Sequence, residues 1–184
     1  MRVSIHQPNF MPWYPFFQKM MMCDIFVVMR HCQFEKSGFQ NRFNHLDKWY
    51  TMSTFRGLDS IHSKKYVNPQ RDWKKIKKSF PKKIKTFEMF DQHISDNLFD
   101  TNFEIIKEIS KMLDIKCDIV VDFETDKTGT DRLVEICKNY GASTYISGMS
   151  GKKYLETEKF VDSGINLEFQ KSEDMNKVSI VEVL

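Results

Sequence analysis

Residues 2–29 read RVSIHQPNFMPWYPFFQKMMMCDIFVVM, and this stretch decides the fold. The segment RVSIH (2–6) alternates apolar and polar side chains and contains β-branched residues, which is typical of a strand. WYPFFQKMMMCD (13–24) spaces its aromatic residues and methionines as on one face of a helix. IFVVM (25–29) is a continuous apolar run, typical of a strand buried on both faces. Strand, helix and strand in this order predict a βαβ unit with two parallel strands.

The last third of the chain repeats this alternation of strands and helices. We predict strands at CDIVV (117–121), STYISG (143–148) and INLEFQ (165–170), and helices at GTDRLVEICKNYG (129–141) and GKKYLETEKFVDSG (151–164). The final NKVSIVEVL (176–184) fits either a strand or a last helix. The sequence therefore predicts an α/β fold, in which a mostly parallel sheet is flanked by helices in a Rossmann-like arrangement.

No linker or internal repeat divides the chain, so we expect a single α/β domain over residues 1–184. Its sheet-forming parts are 1–56 and 115–184. A mainly helical insert, with basic and acidic segments, occupies 57–114. Within the first part, a polar loop (30–45) precedes WYTMSTF (49–55), which we predict to be a third strand.

Two helical patterns occupy the insert. RDWKKIKKSFPKKIKTF (71–87) carries an apolar stripe surrounded by lysines, and Pro81 is expected to kink this helix or to start a second one. NLFDTNFEIIKEISKML (97–113) predicts one amphipathic helix. The stripes are Trp73, Ile76, Phe80, Ile84 and Phe87 in the first pattern, and Leu98, Phe103, Ile106, Ile109 and Leu113 in the second.

The net charge of +3 conceals a strong asymmetry along the chain. Ten basic side chains lie between Lys64 and Lys85, against the single acid Asp72, whereas thirteen acids and five bases lie between Thr86 and Glu135. One interpretation is a basic and an acidic helix that are both simply solvated. The other is a cationic surface that binds an anionic ligand such as a nucleotide, a sugar nucleotide or RNA.

The chain shows no membrane or secretion signal. No run approaches the roughly 20 apolar residues of a membrane span, and prolines interrupt the start where a signal peptide would need an apolar segment. We therefore expect a cytoplasmic protein. Its four cysteines form no CxxC pair, so we expect reduced, buried thiols and no metal site; the adjacent His31 and Cys32 are the only support for a metal.

The turn after the first strand is rich in side chains that can hold a ligand. His6, Gln7, Asn9 and Trp13 lie within eight positions, bounded by prolines. Open α/β sheets bind ligands at the carboxyl ends of their strands, which is where this turn falls. His6 is a candidate for proton transfer, since histidine titrates near neutral pH; a structural role at the strand end is the alternative.

Two further loops come after predicted strands. In YISGMSGKKYL (145–155) a strand leads into Ser147 and Gly148, then into a helix predicted to open at Gly151, Lys152 and Lys153, which suits a phosphate. The glycine spacing is not that of a Walker A loop, and an ordinary glycine turn is the alternative. Loop 33–42 offers Gln33, Asn41 and Arg42, amides and a guanidinium suited to sugar hydroxyls, carboxylates or phosphates.

Four motifs in the same order resemble the WbqC-like family, which is encoded among genes for bacterial O-antigen and capsule synthesis. They are IHQPNFMPW (5–13), CDIFVVMRHCQFEKSGFQNR (23–42), YGASTYISGMSGKKYL (140–155) and SGINLEF (163–169). The resemblance implies a bacterial enzyme that modifies a sugar nucleotide, for which aminoacylation of an amino sugar with glycine is one role. It directs attention to Gln7, Pro8, Pro12, Trp13, Gln33, Asn41, Arg42, Ser147, Gly148 and Tyr154. Longer members carry an additional segment where this chain has only QKSEDMNKVSIVEVL (170–184).

A weaker, fold-level similarity is to the adenylyl-transferring class that includes pantoate–β-alanine ligase. The HxGH-type pair of that class is missing, because the turn carries Asn9 and Met11. If ATP is the activator, Lys152, Lys153 or Arg42 would have to steady its phosphates.

The resulting hypothesis is an enzyme, either a transferase or an ATP-dependent amide ligase, that joins an acyl or aminoacyl group to a nucleotide-linked amino sugar. His6, Gln7 and Arg42 are its expected catalytic residues. ATP, another activated acyl donor or an aminoacyl-tRNA would supply the acyl group, and the sequence leaves the oligomeric state open. The rival hypotheses are an RNA-binding protein that uses the basic segment 64–85, and a non-catalytic partner of a synthesis complex.

Overall fold

The structure is a computed structural model that describes residues 1–171 and 179–184. The described chain folds into two compact units. We call residues 1–6, 15–29 and 115–171 the sheet unit, and residues 7–14, 30–114 and 179–184 the helical unit. The opening turn, which begins at Gln7, therefore belongs to the helical unit, although the strand before it belongs to the sheet unit.

Strands and helices alternate along the described residues. The strands are β1 (Arg2–His6), β2 (Ile25–Val28), β3 (Arg42–His45), β4 (Lys48–Thr51), β5 (Asp118–Val121), β6 (Thr144–Ser147) and β7 (Asn166–Phe169). The α-helices are α1 (Tyr14–Met21), α2 (Pro69–Lys78), α3 (Ile84–Glu88), α4 (Leu98–Met112), α5 (Gly129–Asn139), α6 (Thr157–Val161) and α7 (Ile180–Val183). Short 3₁₀ helices span Pro81–Lys83, Asp91–His93 and Met149–Lys153.

The sheet unit is built on five parallel strands in the order β5-β2-β1-β6-β7. Counted along the chain within this sheet, the order is 3-2-1-4-5, the order of the first five strands of a Rossmann fold. The predicted α/β class, the parallel sheet and the flanking helices are thus confirmed. In this topology the strand order reverses between β1 and β6, so the carboxyl ends of these two strands border the position where such sheets bind ligands.

Helices cover both faces of this sheet because its strands are apolar on both sides. Successive side chains of a strand point to opposite faces. On one face Phe26 packs against Phe16 of α1, with ring centroids 5.0 Å apart. On the other face Val27 and Tyr145 belong to a buried cluster with residues of α5 and with Phe160 of α6. The continuous apolar run of β2 is therefore explained by burial on both sides.

The predicted third strand lies elsewhere than expected. β4 pairs antiparallel with β3 in a separate two-stranded hairpin and takes no part in the parallel sheet. The sequence interpretation also assigned residues 42–45 to a polar loop, and these residues form β3. Leu46 and Asp47 both adopt positive φ, at 48° and 58°, which reverses the chain in two residues and forces antiparallel pairing.

The insert helices form largely where they were predicted. Asn68 caps α2 by accepting from the Arg71 N–H, and Pro69 occupies the first turn, where it needs no hydrogen bond. Pro81 ends the first helical segment and begins the 3₁₀ helix that leads into α3. Because the 3₁₀ helix changes the angular phase, Ile84 leaves the predicted apolar stripe and is 39% exposed.

Near the C-terminus the structure changes one expectation and favours one of two alternatives for the final segment, the helix. The helix predicted to open at Gly151 is a 3₁₀ helix from Met149 to Lys153, and α6 begins only at Thr157. The final segment contains the short helix α7. The Ser179 side chain caps this helix by accepting a hydrogen bond from the Val181 N–H. Residues 172–178, part of the segment where longer family members carry additional sequence, lie outside the described residues.

All four cysteines are free thiols. We expected all four thiols to be buried. Cys23 and Cys137 are buried, as expected, whereas Cys32 and Cys117 are partly exposed, so the expectation is wrong for these two. The pairing of β2 with β5 places the Cys23 and Cys117 thiols in hydrogen-bonding contact. That contact and burial raise the pKa of Cys23, because both disfavour its thiolate.

Candidate functional site

In the sheet unit, His6 and Ser147 end the two strands that border the reversal of strand order. The His6 ring packs edge-on against Phe16, with centroids 4.9 Å apart, and its main-chain carbonyl accepts from the Met29 N–H at 2.8 Å. Ser147 is buried, and its hydroxyl donates to the carbonyl of Gly148 at 3.1 Å. The strand ends therefore hold both residues in fixed positions at the carboxyl edge of the sheet.

The 3₁₀ helix after Ser147 owes its shape to a close approach. A Cβ added to Gly151 would collide with the Ser147 hydroxyl and stand 2.9 Å from Leu155 Cδ1, so only glycine fits. Lys152 and Lys153 come in the last turn of this helix instead of opening a new one. Lys152 Nζ lies 5.3 Å from the centroid of the Phe169 ring. Tyr154, the final residue predicted from this loop, is 63% exposed.

In the helical unit, Gln7 belongs to a network of side-chain amides. Its Oε1 accepts from Gln40 Nε2 at 2.6 Å, and its Nε2 donates to Glu35 Oε1 at 3.2 Å. Gln40 Oε1 in turn accepts from the Glu35 main-chain N–H at 2.7 Å. Gln40 was not predicted as a site residue, yet it fixes the orientation of the Gln7 amide, because a primary amide that both donates and accepts has little freedom to turn.

Arg42 is held by the loop before β3. Its Nε and Nη2 donate to the carbonyls of Gly38 and Ser37, at 3.1 and 2.5 Å. Its guanidinium carbon lies 4.2 Å from the centroid of the Trp49 ring, within the range of a cation–π contact. Two of its nitrogens thus position the group, which leaves Nη1 as the nitrogen with the greater freedom to meet a ligand.

A concave site of about 430 Å³ lies in the helical unit beside this arginine–tryptophan stack. We call it the aromatic hollow. Its described lining comes from the opening turn, from the loop before β3, from the β3–β4 hairpin and from the residue before α7: Asn9, Phe10, Met11, Pro12, Trp13, Phe39, Phe43, Asn44, Asp47, Trp49 and Ser179. Trp13, Phe39 and Trp49 are 37, 52 and 43% exposed, so their rings are available to a ligand.

Asn9 is the polar group most clearly directed at a ligand in this hollow. It is only 8% exposed, yet its side chain forms no hydrogen bond within the part of the chain that the structure describes. Its amide atoms are not fully buried, so they can bond to water in the free protein and exchange that bond for one to a ligand. Met11, two residues later, is buried with φ at 45°, a strained conformation for a residue with a long side chain.

The structure brings some predicted residues together and separates others. Asn9 and Trp13 line the aromatic hollow, and Arg42 lies on one of its rings. Asn41 is buried; its amide nitrogen donates to the Met52 carbonyl at 2.8 Å, whereas its amide oxygen is buried without a hydrogen-bond partner among the described residues. Gln33 is exposed and pairs by its main chain with Ser60, outside the hollow.

Sequence reasoning missed the contribution of the β3–β4 hairpin to the hollow. Phe39, Asn44, Asp47 and Trp49 were not among the predicted residues. The alternation in RFNHLDKWYT around a two-residue turn was the available signal, but Leu46–Asp47 is not one of the common hairpin turn pairs. Asp47 is the one ionisable side chain among the described residues that line the hollow.

The remaining candidate groups offer less for binding or catalysis. Among the described residues, no group of three or more His, Cys, Asp or Glu side chains is arranged to hold a metal ion. The His31 ring lies against that of His62, with centroids 5.4 Å apart. Trp73, the aromatic residue of the basic segment, is only 2% exposed and donates to Asp91, so it is not available to stack on a base. No helix in the described chain has the length and apolar character to cross a bilayer.

One family model matches the chain. The model of the WbqC-like protein family matches residues 7–178, nearly the whole chain. The uncharacterized protein Rv1507c of Mycobacterium tuberculosis (strain ATCC 25618 / H37Rv) is 23% identical over 188 residues, covering 90% of this chain and 80% of that protein. No solved structure shows significant similarity to the chain.

Proposed function

The chain belongs to the WbqC-like protein family, and from this premise we propose that it is an enzyme of bacterial surface-polysaccharide biosynthesis. It transfers an acyl or aminoacyl group, glycyl being the first to test, to the amine of a nucleotide-linked amino sugar. The observation that carries the proposal is the accessible Asn9 amide in a hollow walled by exposed aromatic rings.

The aromatic hollow has the chemistry of a sugar or nucleobase site. Indole and phenyl rings pack against the apolar face of a sugar ring or stack on a base, because both ligands present flat surfaces of low polarity. The Asn9 amide can donate to and accept from ring hydroxyls or base edges. No cation is among the described lining residues, so the hollow suits the uncharged part of a sugar nucleotide more than its phosphates.

The diphosphate would be bound by cations outside the hollow. Gly151, Lys152 and Lys153 are the proposed phosphate-binding residues. Because the two lysines lie at the end of a short 3₁₀ helix and not at the start of a helix, their positive charge is what supports phosphate binding. Arg42 is the other candidate, because its fixed guanidinium keeps Nη1 available. Ser147, Gly148 and Tyr154 remain proposed substrate contacts on the sheet unit, as Gln33 and Asn41 do on the helical unit.

In the proposed reaction the sugar amine attacks the acyl carbonyl. A C–N bond forms, the bond from the acyl carbon to the oxygen of the donor's leaving group breaks, and the amine gives up a proton to His6. Gln7 and Arg42 are proposed to stabilise the negative charge that develops on the carbonyl oxygen. The leaving group is adenylate if ATP activates the acid, or the terminal ribose hydroxyl if the donor is an aminoacyl-tRNA.

A thermal-shift screen tests the binding half of the proposal. At about 100 times its Kd a sugar nucleotide stabilises the folded state by about 2.7 kcal/mol, which corresponds to roughly 5–10 °C for a chain of this size. We expect uridine or thymidine diphosphate amino sugars to give such a shift. Asn9→Ala and Trp49→Ala should lose it, whereas Phe55→Ala, an exposed aromatic residue outside the hollow, should keep it. Equal shifts in all three variants would remove the hollow from the site.

Turnover is tested separately, by mass-spectrometric detection of the amide product. His6→Ala and Arg42→Ala should lower kcat at least about 100-fold, the usual range for a positioned base or oxyanion donor. Arg56→Ala supplies the matched control, since Arg56 is exposed and absent from the described lining of the hollow. Full activity in both active-site variants would refute the catalytic assignment. Activity that appears only when another protein is added would instead support the non-catalytic partner hypothesis.

A further inference from the structure

The basic helix α2 separates its apolar and charged side chains cleanly. Trp73 and Ile76 are buried on one side. Residues along a helix advance by about 100° each, which places Lys74, Lys75 and Lys78 on the opposite side, and all three are exposed. The helix therefore presents a continuous cationic stripe to the surroundings.

Further lysines follow in the 3₁₀ helix and in α3. Lys82 and Lys85 are exposed and Lys83 is half-buried. We call Lys74, Lys75, Lys78, Lys82, Lys83 and Lys85 the basic surface. Two aliphatic side chains of the same segment are also exposed, Ile84 at 39% and Met89 at 44%.

Acids of the same segment are occupied by other partners. The Asp72 carboxylate accepts from the Ser53 N–H and pairs with Arg71. Asp91 accepts from the Trp73 indole and pairs with Lys77. Across residues 1–171 and 179–184, none of the six lysines of the basic surface forms an ion pair, and Glu88 is the exposed acid of α3. The surface thus keeps nearly its full positive charge.

Aromatic burial argues against single-stranded nucleic acid as the partner. Trp73, Phe80, Phe87 and Phe90 are all at most 8% exposed. Proteins that bind single strands stack bases on exposed aromatic rings, and this segment presents none in the described residues. The apolar side chains that it exposes beside its lysines are aliphatic.

An apolar depression borders the same lysines. It has a volume of about 390 Å³, and two lysines of the basic surface, Lys82 and Lys83, line it. The rest of its lining is His45, Ser79, Phe80, Pro81, Val181 and the single acid Glu182, so the lysines of the basic surface still outnumber the acids Glu88 and Glu182. Lysines around an exposed apolar patch are the combination by which peripheral proteins bind anionic membranes. The ammonium groups meet lipid phosphates while the apolar atoms enter the boundary between headgroups and acyl chains.

We propose that the basic surface binds the helical unit to an anionic phospholipid bilayer. The attraction is electrostatic in the main, with Ile84, Met89 and the depression beside Phe80 adding apolar contact. This binding is independent of the proposed enzymatic function, because none of the residues that carry it lines the aromatic hollow.

Vesicle co-sedimentation tests the proposal. We expect binding to phosphatidylcholine vesicles that contain about one-third phosphatidylglycerol, and release when salt shortens the range of the attraction. Vesicles of phosphatidylcholine alone should bind little. The triple variant K75A/K78A/K82A should raise the lipid concentration for half-binding roughly 100-fold, since each lysine near an anionic surface contributes about five-fold. The control K36A/K116A/K138A removes three exposed lysines from outside the basic surface and should change binding less than about two-fold.

Two further measurements separate the alternatives. Ile84→Ser with Met89→Ser should weaken vesicle binding several-fold at salt concentrations where electrostatic attraction is screened. Trp49→Ala should leave vesicle binding intact, so a failure of the sugar-nucleotide proposal would not be mistaken for a failure here. Equal binding to neutral and anionic vesicles would overturn the proposal. So would lysine-dependent binding to mixed-sequence RNA with none to anionic vesicles.

Discussion

The buried amide of Asn102 donates a hydrogen bond to the main-chain carbonyl of Gln40, 2.6 Å away. The same nitrogen donates to the Pro8 carbonyl at 2.7 Å, and the Asn102 oxygen accepts from the Tyr66 hydroxyl at 3.1 Å. One side chain of α4 therefore joins the opening turn to the loop that carries Arg42. Within the helical unit it positions two of the segments that line the aromatic hollow, the opening turn and the loop before β3.

Replacing Asn102 with alanine should lower the free energy of unfolding by about 3 kcal/mol, because two buried carbonyls lose their donor. Urea denaturation measures this loss. Tyr66→Phe is the matched control: it removes a single hydrogen bond and should cost about 1 kcal/mol. If N102A were no more costly than Y66F, the two carbonyls would not depend on Asn102, and its positioning role would be lost.

A larger residue at Gly151 should be destabilising, because its Cβ would meet the Ser147 hydroxyl and Leu155 unless these side chains shift. Gly151→Ala should lower the free energy of unfolding by about 1–2 kcal/mol, a typical cost of overpacking. In a Ser147→Ala background the cost should shrink, since the hydroxyl that meets the new Cβ is gone. A double-mutant cycle in urea measures this coupling. Purely additive effects would mean that the contact with Leu155, instead of Ser147, excludes the side chain.

The βαβ start and the parallel sheet were predictable because their signals are local. Residues 2–29 contain each strand and helix of that unit as an uninterrupted pattern, and the run in β2 directly reflects burial on both faces. The same reasoning located α5 and β6. The turn after Ser147 was harder to predict. It closes as a 3₁₀ helix because Gly151 packs on Ser147, a contact that residue spacing does not reveal.

The pattern of α4 shows why buried polar residues escape sequence reasoning. The predicted stripe included Phe103 and Leu113, which are only half-buried. Thr101 and Asn102 are fully buried instead, since hydrogen bonds within the fold satisfy them. Periodicity counts apolar side chains, so it misplaces a helix face whose centre is polar.

The aromatic hollow was only partly predictable for a different reason. Asn9 and Trp13 were recognised from their turn, but Phe39 approaches the hollow from the loop before β3, and Trp49 approaches it from the β3–β4 hairpin. Contacts between segments that lie some thirty positions apart have no signature in a single sequence. Only the folded structure shows that the exposed rings of Phe39 and Trp49 lie beside the opening turn and wall the same hollow.

The β3–β4 turn offers a stabilising substitution. Leu46 is 80% exposed and has φ at 48°, so its side chain buries little and its backbone is strained. Leu46→Asn should raise the free energy of unfolding by about 0.5–1 kcal/mol, because asparagine adopts this conformation readily. Thermal or urea unfolding measures it. Leu58→Asn is the control. Leu58 is 65% exposed and is not among the residues with positive φ, so this substitution should have no stabilising effect. An equal gain in the control would assign the effect to the loss of an exposed apolar side chain alone.

Lys19 should make the stability of the protein depend on pH in the alkaline range. It is fully buried in α1, where Nζ donates to the Ile5 carbonyl at 3.2 Å, and burial lowers its pKa from 10.5 to about 8. The unfolded chain therefore binds a proton that the folded chain releases between about pH 8 and pH 10.5. Stability consequently rises with pH across this window. Below about pH 8 the folded state carries a constant penalty, of about 3 kcal/mol.

Lys19→Met should remove this penalty. The variant should be more stable than the natural protein at pH 7, and the difference should shrink as pH rises from about 8 toward 10.5, because the folded lysine is then mostly neutral and the unfolded lysine progressively loses its proton. Urea denaturation at a series of pH values measures the free energy of unfolding of both proteins. Subtracting the two values at each pH cancels the contributions of the other titrating groups, which both proteins share. Lys153→Met, at an exposed position of the same unit, should show no such trend. A pH-independent difference between Lys19→Met and the natural protein would show that Lys19 stays protonated in the fold.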